Sequence, residues 1–132
     1  MEEKQRERGR RGEWSALDAH ERAMSLPIED VVRELVEVLG ATTVAVIGGV
    51  GETRAVTQWT VGRMPQRPNV LRFTLQIASM ILNVHDEQIA RAWFHGSNPQ
   101  LGDRSPAFLL RDEPLHEVQG EIMAAARSFA AR

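Results

Sequence analysis

The hydrophobic positions of this chain predict a succession of helices. The clearest run is Ile28, Val31, Val32, Leu35, Val38 and Leu39, whose steps of three and four lay one apolar stripe along a helix. Ser25 is a candidate cap for it, Pro27 suits its first turn, Glu29 and Asp30 complement the dipole, and Gly40 ends it. Ahead of it, Glu13 to Met24 is helix-compatible, with Trp14, Ala16, Leu17 and Met24 as the apolar positions. Val44 to Ile47 is β-branched and fits a short strand by propensity alone. It is little more than one helical turn long and stops at Gly48-Gly49, so Thr42 to Ile47 is expected to be a short helix. Thr53 to Gly62 follows as a helix capped by Glu52 or Thr53, burying Val56 and Trp59.

Asn69 to Leu82 is apolar around most of its circumference, which predicts a helix through the middle of the core. Asn83 or Asp86 caps a further helix through Phe94 that buries Ile89, Ala90 and Trp93. Ser105 caps another, with Pro106 at its first position, and Pro114 to Ala130 closes the chain. The expected fold class is therefore all-α.

Composition adds bounds. With 132 residues, 42% apolar and 26% charged, the chain suffices for one compact domain or two small ones sharing a core. The absence of cysteine excludes a disulfide framework and a thiolate metal site. No apolar run approaches the roughly 20 residues that span a bilayer, and Met1 to Arg6 is charged where a signal peptide would turn apolar. A cytoplasmic protein without membrane contact is expected.

Residues 1–12 are almost wholly polar, too poor in apolar surface to offset ordering, and are read as a flexible arm that is either a solvated tail or a backbone-touching extension. The net charge of −2 argues globally against nucleic acid, but its distribution does not. From Thr53 to His85 there is no acid, while Arg54, Arg63, Arg67 and Arg72 make the segment locally positive.

Catalytic chemistry finds no support. His20, His85, His95 and His116 have no metal-ligand spacing. His85-Asp86-Glu87 is explained by capping. Gly48-Gly49-Val50-Gly51 lacks the Lys-Ser/Thr of a phosphate loop. No enzyme, cofactor or metal is expected.

Two constellations remain. Thr42 to Ile47, the Gly48 to Gly51 turn and Thr53 to Gly62 form helix, turn, helix. Gly49-Val50, the inward Val56 and Trp59, then Gly62 and Pro65, resemble the helix-turn-helix of the Xre repressor family, with one extra residue around Gly51 and Gln58 where that family has Arg. The resemblance implies a recognition helix in the major groove. Its DNA-facing residues would be Thr53, Arg54, Thr57 and Gln58, of which Arg and Gln pair base edges bidentately, with Arg63, Gln66 and Arg67 nearer phosphate. A helical hairpin with ordinary polar surface residues is the alternative.

The second constellation runs from Trp93 to Arg111: an aromatic ending a helix, Asn98-Pro99-Gln100-Leu101-Gly102, Ser105-Pro106, then Leu109-Leu110. Pro99 and Pro106 restrict the loop, Gly96 and Gly102 allow positive φ, and Asn98 bonds its own backbone. Leu101, Phe108, Leu109 and Leu110 are expected as internal anchors. The ordered set resembles the antitoxin/toxin-binding domain of the Xre/MbcA/ParS family, covering with the helix-turn-helix about Ile28 to Arg132.

This resemblance implies an antitoxin, a homodimer that occludes a RES-domain, NAD-consuming toxin and represses its own operon through operator DNA. It divides the chain into an arm (1–24), a helix-turn-helix half (25–82) and a toxin-binding half (83–132). The implied toxin contacts are Asn98, Gln100, Arg104, Arg111, Arg127 and the terminus from Phe129 to Arg132. The competing expectation is a stand-alone regulator whose second half only dimerises.

Overall fold

In the computed structural model, residues 16–132 are described; residues 1–12 and Trp14 lie outside them, whereas 16–24, expected as part of the arm, belong to a helix. Among the described residues the fold is all-helical: α1 (Ala16–Ser25), α2 (Ile28–Leu39), α3 (Ala41–Ile47), α4 (Thr53–Trp59), α5 (Pro68–Leu82), α6 (Glu87–His95), a 3-10 turn (Pro99–Leu101), α7 (Pro106–Asp112) and α8 (Leu115–Ala130).

The middle of the fold is α5. Leu71 and every residue from Phe73 to Ile81 are buried, so the all-round apolar pattern marks a helix surrounded by others: α1 and α2, α6, and α8 pack on it. Two of its buried polar side chains find partners nearby. Thr74 Oγ1 donates to the Val70 carbonyl (2.7 Å), and Gln76 Oε1 lies 3.2 Å from His20 Nδ1. The predicted stripe of α2 is buried along its length, and Gly40, at φ +86°, stops that helix and turns directly into α3. The β-branched segment before Gly48 is helical, because burial of Val44, Ala45 and Ile47 outweighs strand propensity.

Three expectations near the first helices and α6 are corrected. Leu17 and Met24 are 63% and 42% exposed, whereas Ala19 and Ala23 are buried; these small side chains, four apart, let α1 lie close on α5. Ser25 caps nothing. It is the last residue of α1, its hydroxyl donates to the Arg22 carbonyl (3.4 Å), and Pro27 takes the N-cap of α2 with its own carbonyl accepting from Asp30 and Val31. Ile89 is 38% exposed because the buried stripe of α6 runs through Ala90, Trp93 and Phe94, one residue around the helix. The cap of α6 is Asp86, whose Oδ1 accepts from the Ile89 amide at 2.9 Å.

Both halves of the chain feed one core. α7 packs on α3 and α6 on α2. Thr43 Oγ1, buried on α3, meets His95 Nε2 at 2.6 Å. Arg91 of α6 donates to carbonyls in the last turn of α2, Val38 (2.6 Å) and Glu37 (3.1 Å), where a helix end needs partners from outside itself.

Candidate nucleic-acid and partner interface

The turn between α3 and α4 is closed by amide bonds from Gly48 to Val44 (2.8 Å), Gly49 to Val46 (3.1 Å) and Val50 to Ala45 (3.0 Å). Gly49 has φ +78°, a conformation that favours glycine. Glu52 is extended and begins α4, which turns Val56 and Trp59 into the core. Thr53, Arg54 and Thr57 are left exposed on its outer face. Arg54 has no hydrogen-bond or ion-pair partner among the described residues. Past the helix, Arg33 of α2 donates to the Thr60 carbonyl, Gly62 takes φ +110°, and Pro65 is buried.

The other arginines and glutamines of the positive segment separate, with Gln66 left exposed. Gln58 is half-buried, with Oε1 accepting from Arg63 at 3.4 Å, so these two sit together beside the outer face. Arg67 is exposed as well, but engaged: NH1 donates to the backbone carbonyl of Arg111 on α7 at 2.7 Å. Arg72 is spent inside the fold, donating to the carbonyls of Ala23 (2.9 Å) and Leu26 (2.6 Å) at the end of α1. The locally positive segment thus presents Arg54 and Arg63 outward, while Arg67 and Arg72 bind backbone.

In the second constellation Asn98 organises the loop as expected. Its Oδ1 accepts from the Gln100 amide (3.0 Å), its carbonyl accepts from Leu101 and Asp103 (both 2.9 Å), and its own amide donates to the Arg104 carbonyl (3.3 Å). Gly102 and Asp103 are both left-handed, at φ +64° and +65°. Gly96 is not: its φ is −76°, and a Cβ there would stand 3.0 Å from the Ala92 carbonyl, so crowding and not a positive φ favours glycine.

Gln100 Nε2 donates to Ser128 Oγ (3.1 Å), bringing the loop to the last turns of α8, next to Arg127. Arg104 pairs with Glu113 (3.1 Å) and Asp112 (3.4 Å), and Arg111 with Asp112 (3.0 Å). Arg127 and Arg132 are exposed. Phe129 is half-buried, its ring 4.7 Å from His85 and 6.3 Å from Trp93, so it closes the core beside α6.

Phe108 was expected as an anchor, but it is 46% exposed, with the Arg111 guanidinium 5.2 Å from its ring centroid. Ala107, Leu109 and Leu110 fill the core side of α7, leaving Phe108 on the face shared by Arg111 and Asp112. That three- and four-residue spacing to charged residues was the available signal. Val61 and Met64, 78% and 67% exposed just beyond α4, were also missed. Among the described residues no group of His, Asp or Glu is placed to hold a metal ion, and no helix is long and apolar enough to cross a membrane.

No protein-family model matches the chain, and no curated protein does. Among solved structures, it is similar to a chain of the crystal structure of the M. tuberculosis MbcT–MbcA toxin–antitoxin complex, with 26% identity and a TM-score of 0.59 over 78% of this chain and 96% of that one.

Proposed function

We propose that this chain is the antitoxin of a toxin–antitoxin pair, neutralising its partner through residues 83–132 and binding operator DNA through residues 25–82. The observation that carries the reading is the similarity to a chain of a toxin–antitoxin complex, which spans nearly all of that chain. The Asn98 to Arg104 loop supports it independently, since its internal bonds make a rigid platform of the motif whose resemblance implies partner binding. On this reading the partner is a RES-domain toxin that consumes NAD, and the antitoxin covers its active-site mouth. Arg104, Arg111 and Arg127 are exposed contact candidates, and Phe108 joins them.

DNA binding is assigned to α4, with Thr53, Arg54 and Thr57 toward base edges and Gln58 and Arg63 at the margin. The protein acts as a cytoplasmic homodimer, matching a two-fold operator, and represses its own operon. The test is co-expression with the product of the neighbouring reading frame while growth and intracellular NAD are followed. Rescue of both by this chain supports the antitoxin role. A toxic, soluble neighbour that this chain fails to neutralise leaves a stand-alone regulator as the better account.

A further inference from the structure

We infer that Arg67 is a positioning residue through which the second half of the chain holds the turn ahead of the DNA-reading helix, and is not the phosphate contact its place in the positive segment suggests. The inference rests on the DNA-binding part of the proposed function.

Arg67 stands at the N-cap of α5 and reaches in two directions at once. NH1 donates to the Arg111 carbonyl in the last turn of α7 (2.7 Å). Carbonyls there lack intrahelical partners and carry the negative end of the helix dipole, so a guanidinium is well suited to them. The same guanidinium lies against Gly49: a Cβ on that glycine would stand 2.9 Å from Cζ, 3.0 Å from Nε and 3.3 Å from NH1. Glycine at 49 answers to its φ of +78°, and its bare backbone is the surface on which the Arg67 guanidinium rests.

The turn at Gly49 fixes where α4 leaves α3, so whatever holds it sets the aim of Arg54. What holds it is fastened to α7, whose exposed face carries Phe108 and whose Asp112 binds Arg104 of the Asn98 loop. A planar fork spanning a turn and a carbonyl is a use of arginine that lysine does not reproduce. An arginine so occupied contributes little to counterion release.

The test uses the full chain and a duplex of the intergenic DNA upstream of its own operon. Operator affinity is measured across salt for wild type, Arg67→Met, Arg67→Lys and Arg54→Ala, with amide exchange of the Gly48 to Glu52 turn followed in each. Arg67→Met and Arg67→Lys are expected to weaken binding about tenfold alike, with an unchanged salt slope and faster exchange confined to the turn. Arg54→Ala, which removes a base-edge contact, should weaken binding at least tenfold and relax the preference for the base it reads.

Ser105→Ala, which removes the cap of α7, should quicken exchange at the turn in the wild-type background and not in Arg67→Met. If Arg67→Met lowers the slope by about 0.9, or Arg67→Lys restores wild-type affinity, or turn exchange is unchanged, the inference is overturned. Failure of the wild-type chain to bind the duplex overturns the DNA-binding reading itself, and this inference with it.

Discussion

The indole of Trp59 occupies the space a side chain on Gly48 would need: a Cβ there would lie 2.6 Å from Cη2 and 2.8 Å from Cζ3. Gly48 has an ordinary φ of −72°, so glycine at this position answers to crowding and not to backbone conformation. The bare backbone lets the largest side chain of α4 seat against the end of α3, and the depth of that seat sets the angle between the two helices.

Gly48→Ala should therefore act as an overpacking mutation at a buried contact, costing about 1–3 kcal/mol in denaturant unfolding. Operator binding should fall further than stability alone explains, because α4 must tilt to admit the methyl group. A variant that loses neither stability nor affinity would show that the indole swings aside freely.

Arg72→Met should loosen α1. The arginine is partly buried and supplies charge-assisted bonds to carbonyls at the end of that helix. Leaving these unpartnered costs about 1–3 kcal/mol. Amide exchange is expected to quicken in Ala16–Ser25 while α2 and α5 keep their protection. Uniform acceleration throughout the chain would place the effect on global stability.

The course of the helices was legible because their apolar stripes are long: α2 follows its pattern residue by residue, and α5 is buried nearly all round, Thr74, Gln76 and Ser79 included. Short helices resisted. In α7 only Pro106 to Asp112 is helical, too little for periodicity to separate Phe108 from Leu109 and Leu110. In α1 the expectation favoured large apolar residues, whereas close packing on α5 selected Ala19 and Ala23. The arginines of the positive segment were indistinguishable in sequence. Their fates depend on carbonyls 44 and 49 residues away, at Arg111 and Ala23, which local spacing cannot reveal. The Asn98 loop was legible because its bonds are local.

Phe108 and Leu110, two residues apart, should answer oppositely to truncation. Leu110 is 1% exposed, and Leu110→Ala should cost about 2–5 kcal/mol of stability. Phe108 is 46% exposed, and Phe108→Ala should change stability by no more than about 0.5 kcal/mol. An exposed aromatic under an arginine, on a helix pinned by Ser105 and the core, has the character of an interface anchor. Neutralisation of the toxin should weaken at least tenfold in Phe108→Ala with the fold intact, as read by titrating the toxin's NAD consumption. Unaltered neutralisation would remove Phe108 from the partner surface.

Asn98→Ala should separate the two proposed activities. The side chain contributes one bond, Oδ1 to the Gln100 amide, and its loss costs about 0.5–1.5 kcal/mol, little enough that the helices stay folded. The loop suffers more than the chain, since the adjoining left-handed pair at Gly102 and Asp103 is held in register by bonds to the backbone of the same asparagine. Toxin neutralisation is expected to fall while affinity for the operator duplex remains within about twofold, α4 and its turn lying outside the loop. Asn98→Asp keeps the acceptor oxygen and should restore neutralisation. If Asp fails where Asn succeeds, the amide of Asn98 touches the toxin directly; if Ala neutralises as well as wild type, the loop is not part of the toxin-binding surface.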